Sequence, residues 1–304
     1  MKKRAMAAVS AVMCASMVLS ACGSSASTST TAAPAETKAA EESKTEETTA
    51  AAASGDVVTI NIGFENTTEE PIGQAVEKWA ELLKEESNGT MELKVFANSA
   101  LGNKSKLIDQ MVMGENVITI ADGAFYADYG VPDLGILYGP FFFDNWDKEQ
   151  CSKLADKGLT VLGSNWVYGE RELMTKDKVV VPADIKGKKI RLANSQIYVE
   201  GFNALGATAV PMALGDVYTA LQNGTLDGVE NPLSTLYGQS FQEVTKNILM
   251  TGHILNFTTW CIGTDYLNTL TQEQQDLLFK TCEEAGLYNN EKQEAANEDY
   301  RKKL

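Results

Sequence analysis

Two arginines and an asparagine in the second half of the chain are the residues with the clearest chemistry. Arg191 lies near the end of a short predicted strand, and Arg171 follows the aromatic segment 166–169. Asn231 comes just after another predicted strand, 226–229. A guanidinium is a planar fork that can hold a carboxylate by two parallel hydrogen bonds. A lone arginine is more often solvated or salt-bridged, so these residue types by themselves leave carboxylate binding open.

Two carboxylates, Glu65 and Asp122, suggest a second chemistry. Each falls just after a predicted strand, 58–62 and 117–121 respectively. In open parallel sheets ligands sit beyond the carboxyl ends of the strands, so both side chains are candidates for a pocket. Paired carboxylates could also hydrolyse a glycoside. Two arginines nearby would favour the ionised form of both, whereas a general acid must hold its proton, and this argues against hydrolysis.

The composition excludes several classes of function. The 304 residues carry a formal net charge of -15, from 41 acidic and 26 basic residues. Nucleic-acid binding and polybasic membrane binding both need a basic surface, and neither is expected. The single histidine, His253, leaves no second imidazole for a zinc site and is expected to be a buried, hydrogen-bonded side chain rather than a base. We therefore expect neither a metal nor a cofactor.

Hydrophobic periodicity predicts the elements that must position these side chains. Alternating apolar residues predict strands over 58–62 and 91–95, and apolar stripes predict helices from Pro71 onward and over 107–112. This alternation implies crossovers and a largely parallel sheet. A second α/β unit begins near Gly169. Its predicted strands are 189–192, 226–229 and 248–260, and its predicted helices are 197–205, 216–222 and one from 271. Two such units with several chain crossings form a cleft for a small ligand.

An ordered series of motifs in the second half carries a family resemblance. In chain order they are GKKIR at 187–191, LGA at 205–207, VPM at 210–212, DVY at 216–218, ALQNG at 220–224 and DGVENP at 227–232. The series resembles the solute-binding proteins of tripartite ATP-independent periplasmic (TRAP) transporters, the DctP family. The resemblance covers residues 60 to about 287. It implies an α/β, two-lobed, periplasmic-binding-protein-like (type II) fold with a hinged cleft, and a capture protein rather than an enzyme.

The resemblance also implies roles for individual residues. Arg191 matches the principal carboxylate-binding arginine of the family, and Arg171 matches a second arginine found in many members. Asn231 matches the asparagine that contacts the same carboxylate. Asn194 matches a side chain that lines the site in some members. Leu214 matches a position that is often filled by a bulky apolar or aromatic residue.

The expected ligand is a small organic acid. Glu65 and Asp122 fall where family members hold the rest of the ligand. Phe125 stands where a sialic-acid-binding member has a further arginine, which argues against sialic acid. Acidic groups opposite the arginines repel a second carboxylate but accept hydrogen bonds from hydroxyls. A sugar acid, such as a uronate or an aldonate, is therefore favoured over a C4-dicarboxylate.

The first residues are typical of a secretion signal, with a basic start and an apolar stretch over 1–21. The tetrapeptide LSAC at 19–22 resembles a bacterial lipobox, which implies cleavage before Cys22 and lipid on its thiol. A plain signal peptide with an incidental cysteine is the alternative. Residues 22–55 have the composition of a disordered tether. We expect an extracytoplasmic lipoprotein, held at the cell membrane, that hands its ligand to TRAP permease subunits.

The expected lobe boundaries are 56–168 together with 257–296 for the first lobe, and 169–256 for the second. Family members continue past the last predicted helix, so the C-terminal completion is expected to be missing after Leu304. Two other classes of function stay open. One is an extracellular hydrolase that uses Glu65 and Asp122, and the other is an adhesive lipoprotein without a small ligand.

Overall fold

The computed structural model describes residues 57–138 and 152–304. Its strands are β1 (Val58–Gly63), β2 (Met91–Phe96), β3 (Val117–Ala121), β4 (Leu159–Thr175), β5 (Lys189–Leu192), β6 (Thr208–Pro211), β7 (Gly228–Pro232) and β8 (Asn247–Gly263). Its helices are α1 (Pro71–Glu86), α2 (Lys104–Val112), α3 (Gly123–Asp128), α4 (Gln196–Ala204), α5 (Val217–Gln222), α6 (Leu233–Gly238), α7 (Thr264–Leu267) and α8 (Gln272–Lys303). The strands form one sheet in the order β2-β1-β3-β8-β4-β7-β5-β6. The expected leader, Cys22 and the tether 22–55 lie outside the described residues.

Residues 58–128, in the first lobe, form one end of the sheet. Here β1 lies between β2 and β3, and both pairs are parallel. Helix α1 begins at Pro71, where the missing N–H interrupts no helical hydrogen bond. Trp79 of this helix packs against Trp166 and Trp260, with ring centroids 6.2 Å and 5.9 Å away. This core holds β1 and β3 side by side, so the residues that follow both strands lie at the same edge.

Residues 189–238, in the second lobe, form the other end of the sheet. Strand β5 lies between β6 and β7 and is parallel to both. Ile190 and Leu192 are fully buried in the core under this end of the sheet. Because side chains alternate along a strand, Arg191 lies on the opposite face from these two residues.

Strands β4 and β8 connect the two lobes. Each has 17 residues, and they pair antiparallel along most of their length. The register shifts at several irregularities, one of them between Val167 and Gly169. Gly169 has a φ of 120°, a conformation that side-chain-bearing residues rarely adopt. The chain thus passes between the lobes through a local kink rather than through a regular strand.

Helix α8 packs along both lobes. Its N-cap, Thr271, exchanges hydrogen bonds with Gln274, which satisfies the first turn. Leu278 is buried in the first-lobe core, and Tyr300 packs against Tyr237 of α6 with ring centroids 5.5 Å apart. Although α8 has 32 residues, its composition is largely polar. Within the two described ranges, no helix combines the length and apolar character that a bilayer span requires.

Parallel pairing is confirmed for the three strands from which it was predicted, β1, β2 and β3. The sheet as a whole is mixed, since the pairs of β8 with β3 and of β4 with β8 and β7 are antiparallel. Two expectations about single residues also change. Arg171 lies within β4 rather than after a strand, because the glycine that interrupts the apolar pattern is part of a kinked strand and does not end it. Asn231 likewise lies inside β7, opposite Glu172, because pairing with β4 continues past the hydrophobic run.

Candidate functional site

A cavity of about 380 Å³ lies between the first and second lobes. It is bounded by the segment after β1, the start of α2, the end of β3 and parts of β4, β5, β7 and β8. All seven residues expected to bind ligand line it: Glu65, Asp122, Arg171, Arg191, Asn194, Leu214 and Asn231. The structure therefore brings together residues that are up to 166 positions apart in sequence, from 65 to 231.

Arg191 is held at the cavity wall with part of its guanidinium unused. The side chain is 3% exposed, and Nε and Nη2 donate to the carbonyl of Met212 at 2.9 Å and 2.7 Å. Its Nη1 has no hydrogen-bond acceptor among the described residues. Burial lowers the pKa of Arg191, and the attraction of Glu65 and Glu230 only partly offsets this. A buried cation of this kind is stabilised by an incoming anion.

Arg171 already has an anionic partner. Its Nε and Nη2 donate to the carboxylate of Glu230 at 2.5 Å and 2.7 Å, and Nη1 donates to Asn256 at 2.7 Å. Nη2 also donates to the Glu230 carbonyl at 3.2 Å. A guanidinium has five N–H groups, so these contacts leave Arg171 one donor for a ligand. The role expected of it, as a second carboxylate-binding arginine, is thereby limited to a single hydrogen bond.

The charges of this pair reinforce each other. Burial alone raises the pKa of Glu230, but the attraction of Arg171 outweighs it and lowers the value to about 2. Burial lowers the pKa of Arg171, and the attraction of Glu230 reverses the sign, so the net shift is upward. Both groups stay ionised at neutral pH, and the pair forms a fixed wall of the cavity.

Asn231 lies on β7, between the strands that carry the two arginines, β4 and β5. Its side chain is 3% exposed and makes no hydrogen bond to another described residue. An amide has two donors and an acceptor, so this group can complete a carboxylate site next to Arg191. Its position in the cavity matches the expectation from sequence.

Glu65 and Asn194 make contacts across the cleft. Glu65 accepts a hydrogen bond from the backbone N–H of Leu214 at 3.2 Å, and Asn194 donates to Ser105 at 3.5 Å. In each of these hydrogen bonds the two residues belong to different lobes. Glu65 and Asn194 therefore join the lobes across the cavity that they line. Leu214, 4% exposed, fills the wall beneath.

Asp122 is mainly a helix cap. One carboxylate oxygen accepts the N–H groups of Ala124 and Phe125 at the start of α3, at 3.1 Å and 3.3 Å. The other oxygen lies 3.8 Å from the ammonium of Lys104. That ammonium also sits 4.3 Å from the centre of the Phe125 ring. Asp122 and Glu65 thus each accept at least one hydrogen bond from the protein backbone, and neither is a carboxyl group without a protein partner.

Sequence reasoning missed Lys104, the third cation of the cavity, and several polar neighbours. The others that line the cavity are Asn66, Asn103, Ser105, Tyr168, Asp216, Asn256 and Thr258. Asn103 accepts from the Lys106 N–H, and this N-cap preceding an apolar helical stripe was a visible signal for the start of α2. No local pattern marks Asn256, because its place depends on the register of β8 against β4.

A buried polar cluster lies beside the cavity and joins the lobes. Asn66 donates to Glu70 at 2.7 Å and to the hydroxyl of Tyr168 at 2.8 Å. Thr235 of the second lobe donates to the same hydroxyl at 3.0 Å, and Gln239 donates to Glu70 at 3.2 Å. Burial raises the pKa of Glu70 in spite of these hydrogen bonds.

Comparison with known proteins places this arrangement among solute-binding proteins. The profile of bacterial extracellular solute-binding protein family 7, DctP, matches residues 62–304. The 2,3-diketo-L-gulonate-binding periplasmic protein YiaO of Escherichia coli K12 is 30% identical over 242 residues, which are 76% of this chain and 73% of the relative. The C4-dicarboxylate-binding periplasmic protein DctP of Rhodobacter capsulatus is 26% identical over 267 residues, 77% of this chain and 80% of the relative.

Two solved structures are similar in fold as well as in sequence. A TRAP periplasmic solute-binding protein from Ochrobacterium anthropi with bound L-fuconate is 36% identical, with a TM-score of 0.79 over 81% of this chain and 85% of that one. One from Actinobacillus succinogenes with bound L-galactonate is 34% identical, with a TM-score of 0.78 and the same coverage. The chain therefore has the two-lobed type II fold, and its cavity is the inter-lobe cleft of that fold.

Proposed function

Because this chain belongs to the DctP family of bacterial extracellular solute-binding proteins, we propose that its cleft captures a sugar acid by the carboxylate and delivers it to a TRAP-type permease. Members of the family bind small organic acids and are not enzymes. This excludes a hydrolase that uses Glu65 and Asp122. It equally excludes an adhesive protein without a small ligand.

The observation that carries the proposal is the unused edge of Arg191. Its Nη1 faces no described acceptor, and the cavity that it lines also contains the uncommitted amide of Asn231 and the last free donor of Arg171. A carboxylate placed there meets donors from three strands. Each charge-assisted hydrogen bond is shorter and stronger than a neutral one.

Closure of the cleft strengthens this contact. Besides the Glu65 and Asn194 contacts, Ser195 donates to the carbonyl of Ala124 at 3.0 Å, and the Gln196 N–H donates to Asp128 at 3.2 Å. These bonds join the start of α4 to α3, across the two lobes. Removing water from the site lowers the effective dielectric and makes the ion pair stronger. The ligand selects the closed form only through its better contacts there.

The charged residues that line the cavity support a sugar acid over a dicarboxylate. The lining residues include three acids, Glu65, Asp122 and Asp216, and three bases, and one base is already neutralised by Glu230. Lys104 lies against Asp122, so a second carboxylate would find no uncompensated cation there. Hydroxyls, in contrast, can donate to the acids and accept from the amides and the ammonium. The structures with L-fuconate and L-galactonate are consistent with this preference.

The family is extracytoplasmic, and we further propose a lipid anchor at Cys22 with residues 22–55 as its tether. The support is the lipobox-like sequence LSAC and the lack of large apolar residues in the segment after it. Labelled palmitate should be incorporated by the wild-type chain in bacterial cells. A Cys22→Ser variant that incorporated as much label would contradict the anchor.

We also propose 56–168 with 257–296 and 169–256 as the lobes that move relative to each other. The support is the kink at Gly169 of β4, whose partner in β8 is Asn256. Both long strands cross between the proposed bodies at this level.

The ligand class is tested by isothermal titration calorimetry with protein expressed without its leader. The panel is L-galactonate, L-fuconate and D-glucuronate against succinate and L-malate. At least one sugar acid should bind more tightly than either dicarboxylate. Binding of a dicarboxylate alone would overturn the sugar-acid preference, and no binding by a broader set of organic acids would overturn carboxylate capture itself.

A further inference from the structure

The single imidazole of the chain lies directly behind the Arg171–Glu230 pair. Nε2 of His253 is 3.3 Å from Oε2 of Glu230, the same oxygen that accepts from Nε of Arg171. Its Nδ1 is 2.7 Å from the hydroxyl oxygen of Thr251. The ring packs edge-on against Phe202, with centroids 5.5 Å apart. The side chain is 13% exposed, so protons from solvent can reach it.

The hydrogen bonds around His253 can accommodate either protonation state. Because a carboxylate only accepts, Nε2 must carry a hydrogen, and in the neutral ring Nδ1 then accepts from the Thr251 hydroxyl. In the protonated ring Nδ1 donates to that hydroxyl. The hydroxyl hydrogen of Thr251 can then turn to the carboxylate of Glu172 or to the carbonyl of Arg171, each 3.4 Å from the hydroxyl oxygen. Taking up a proton therefore breaks no hydrogen bond.

The charged groups near the ring come from two strands, and one helix adds aromatic side chains. Glu230 belongs to β7, and Arg171 and Glu172 belong to β4. The Glu172 carboxylate also accepts the N–H of Gly252, at 2.8 Å, next to the ring in sequence. Glu170 of β4 lies near the same glycine. Helix α4 contributes the apolar Phe202 and Tyr198, whose ring lies against the Arg171 guanidinium.

We propose that His253 is a positioning residue that acts on Arg171 through Glu230 and makes the affinity for a carboxylate ligand depend on pH. The inference rests on the proposed function. With the ring neutral, the Glu230 carboxylate neutralises Arg171 alone. With the ring protonated, the same carboxylate is shared by two cations, and the wall behind the ligand becomes more positive. An anionic ligand then binds more tightly.

Histidine is the side chain whose charge changes most readily near neutral pH, so the comparison is made between pH 5.5 and 8.0. A carboxylate ligand stays ionised throughout that range. One positive charge on the partly buried ring behind the site should tighten binding about three- to tenfold between pH 8.0 and 5.5. By linkage, a ligand that binds more tightly when the ring is protonated should also take up a fraction of a proton on binding.

Calorimetry with the ligand identified by the panel tests this in the unmodified protein. Titrations at pH 5.5, 6.5 and 8.0, repeated in buffers of different ionisation enthalpy, give the affinity and the proton uptake. Tighter binding at pH 5.5 with net proton uptake is the expected result. Binding whose affinity is the same at all three pH values, with no proton taken up, overturns the role of His253 but leaves carboxylate capture standing. No binding at any pH counts against capture itself.

Two variants assign the proton. His253→Gln keeps an amide donor toward Glu230 but does not titrate, so its affinity should be independent of pH and its proton uptake absent. Glu70→Gln removes a nearby buried carboxyl whose pKa is raised by burial, and it should keep the wild-type pH profile. A purely structural role for His253 would lower thermal stability in His253→Gln and leave the pH profile unchanged. Loss of the profile in Glu70→Gln instead would reassign the effect to that carboxyl.

Discussion

The two arginines of the cavity carry the same charge in different surroundings. Arg171 holds Glu230 by two donors, and the pair is part of the wall. Arg191 holds only the carbonyl of Met212, and burial lowers its pKa. Desolvation without an ion-pair partner makes Arg191 the group that gains most from an incoming carboxylate. The arrangement separates a guanidinium that already has an ion-pair partner from one that is proposed to bind the ligand.

The Arg171–Glu230 pair makes the free energy of unfolding depend on pH in the acidic range. The ordinary pKa of a glutamate is 4.5, and in the folded protein that of Glu230 is lowered to about 2. A lowered folded-state pKa adds stability that is complete above about pH 4.5 and is lost as the pH falls toward 2. Urea unfolding between pH 5 and pH 2 should therefore show a loss of about 2–4 kcal/mol from this group.

Glu230→Gln is the matched control, since it keeps the shape but does not titrate. Its unfolding free energy should start lower, because Arg171 is left without a buried partner, and should fall less steeply in acid. Parallel pH curves for the variant and the wild type would show that Glu230 does not carry the effect.

At the scale of the elements, local pattern was sufficient wherever a strand or helix is regular. Strand β5 over 189–192 has the predicted bounds, and α1 begins at Pro71 as predicted. The resemblance of the motif at 187–191 to the family singled out Arg191, and the structure places this residue in the cavity wall. Pattern failed where a strand is interrupted, as at Gly169, because a bulge and a strand end look alike in sequence. The partner of Arg171 was hidden, since Glu230 is 59 positions away and meets it only through β4–β7 pairing.

The kink in β4 should be sensitive to any side chain at Gly169. A Cβ there would lie 3.0 Å from Cβ of Pro232, and the φ of 120° is unfavourable for every residue but glycine. Gly169→Ala should lower the unfolding free energy by at least about 1–2 kcal/mol. Urea denaturation measures it.

Gly187→Ala is a comparison within the same fold. Gly187 also has a positive φ, of 74°, but an added Cβ would meet nothing within 4 Å. The difference between the two variants isolates the contact with Pro232 and the more extreme backbone angle. If both variants lost the same unfolding free energy, a side chain at the kink would cost no more than one at an ordinary position with positive φ.

At the scale of the whole molecule, the net charge opposes the proposed ligand. A formal charge of -15 repels an anion at long range, so recognition has to come from the few cations inside the cleft. The cavity concentrates Arg171, Arg191 and Lys104 where the two lobes meet. In the proposed mechanism, closing the lobes over these groups shields the ligand from the surrounding acidic surface and from salt. Binding and closure are then one process.

The most direct measurement is the affinity of Arg191 variants for the best ligand of the panel. Arg191→Ala should weaken binding by about 2–5 kcal/mol, the usual cost of removing one partner of a buried charge pair. Arg191→Lys keeps the charge without the fork and should fall between. Thermal unfolding of each variant confirms that it is folded. If folded Arg191→Ala binds the ligand as tightly as the wild type, the carboxylate is held elsewhere and the account is contradicted.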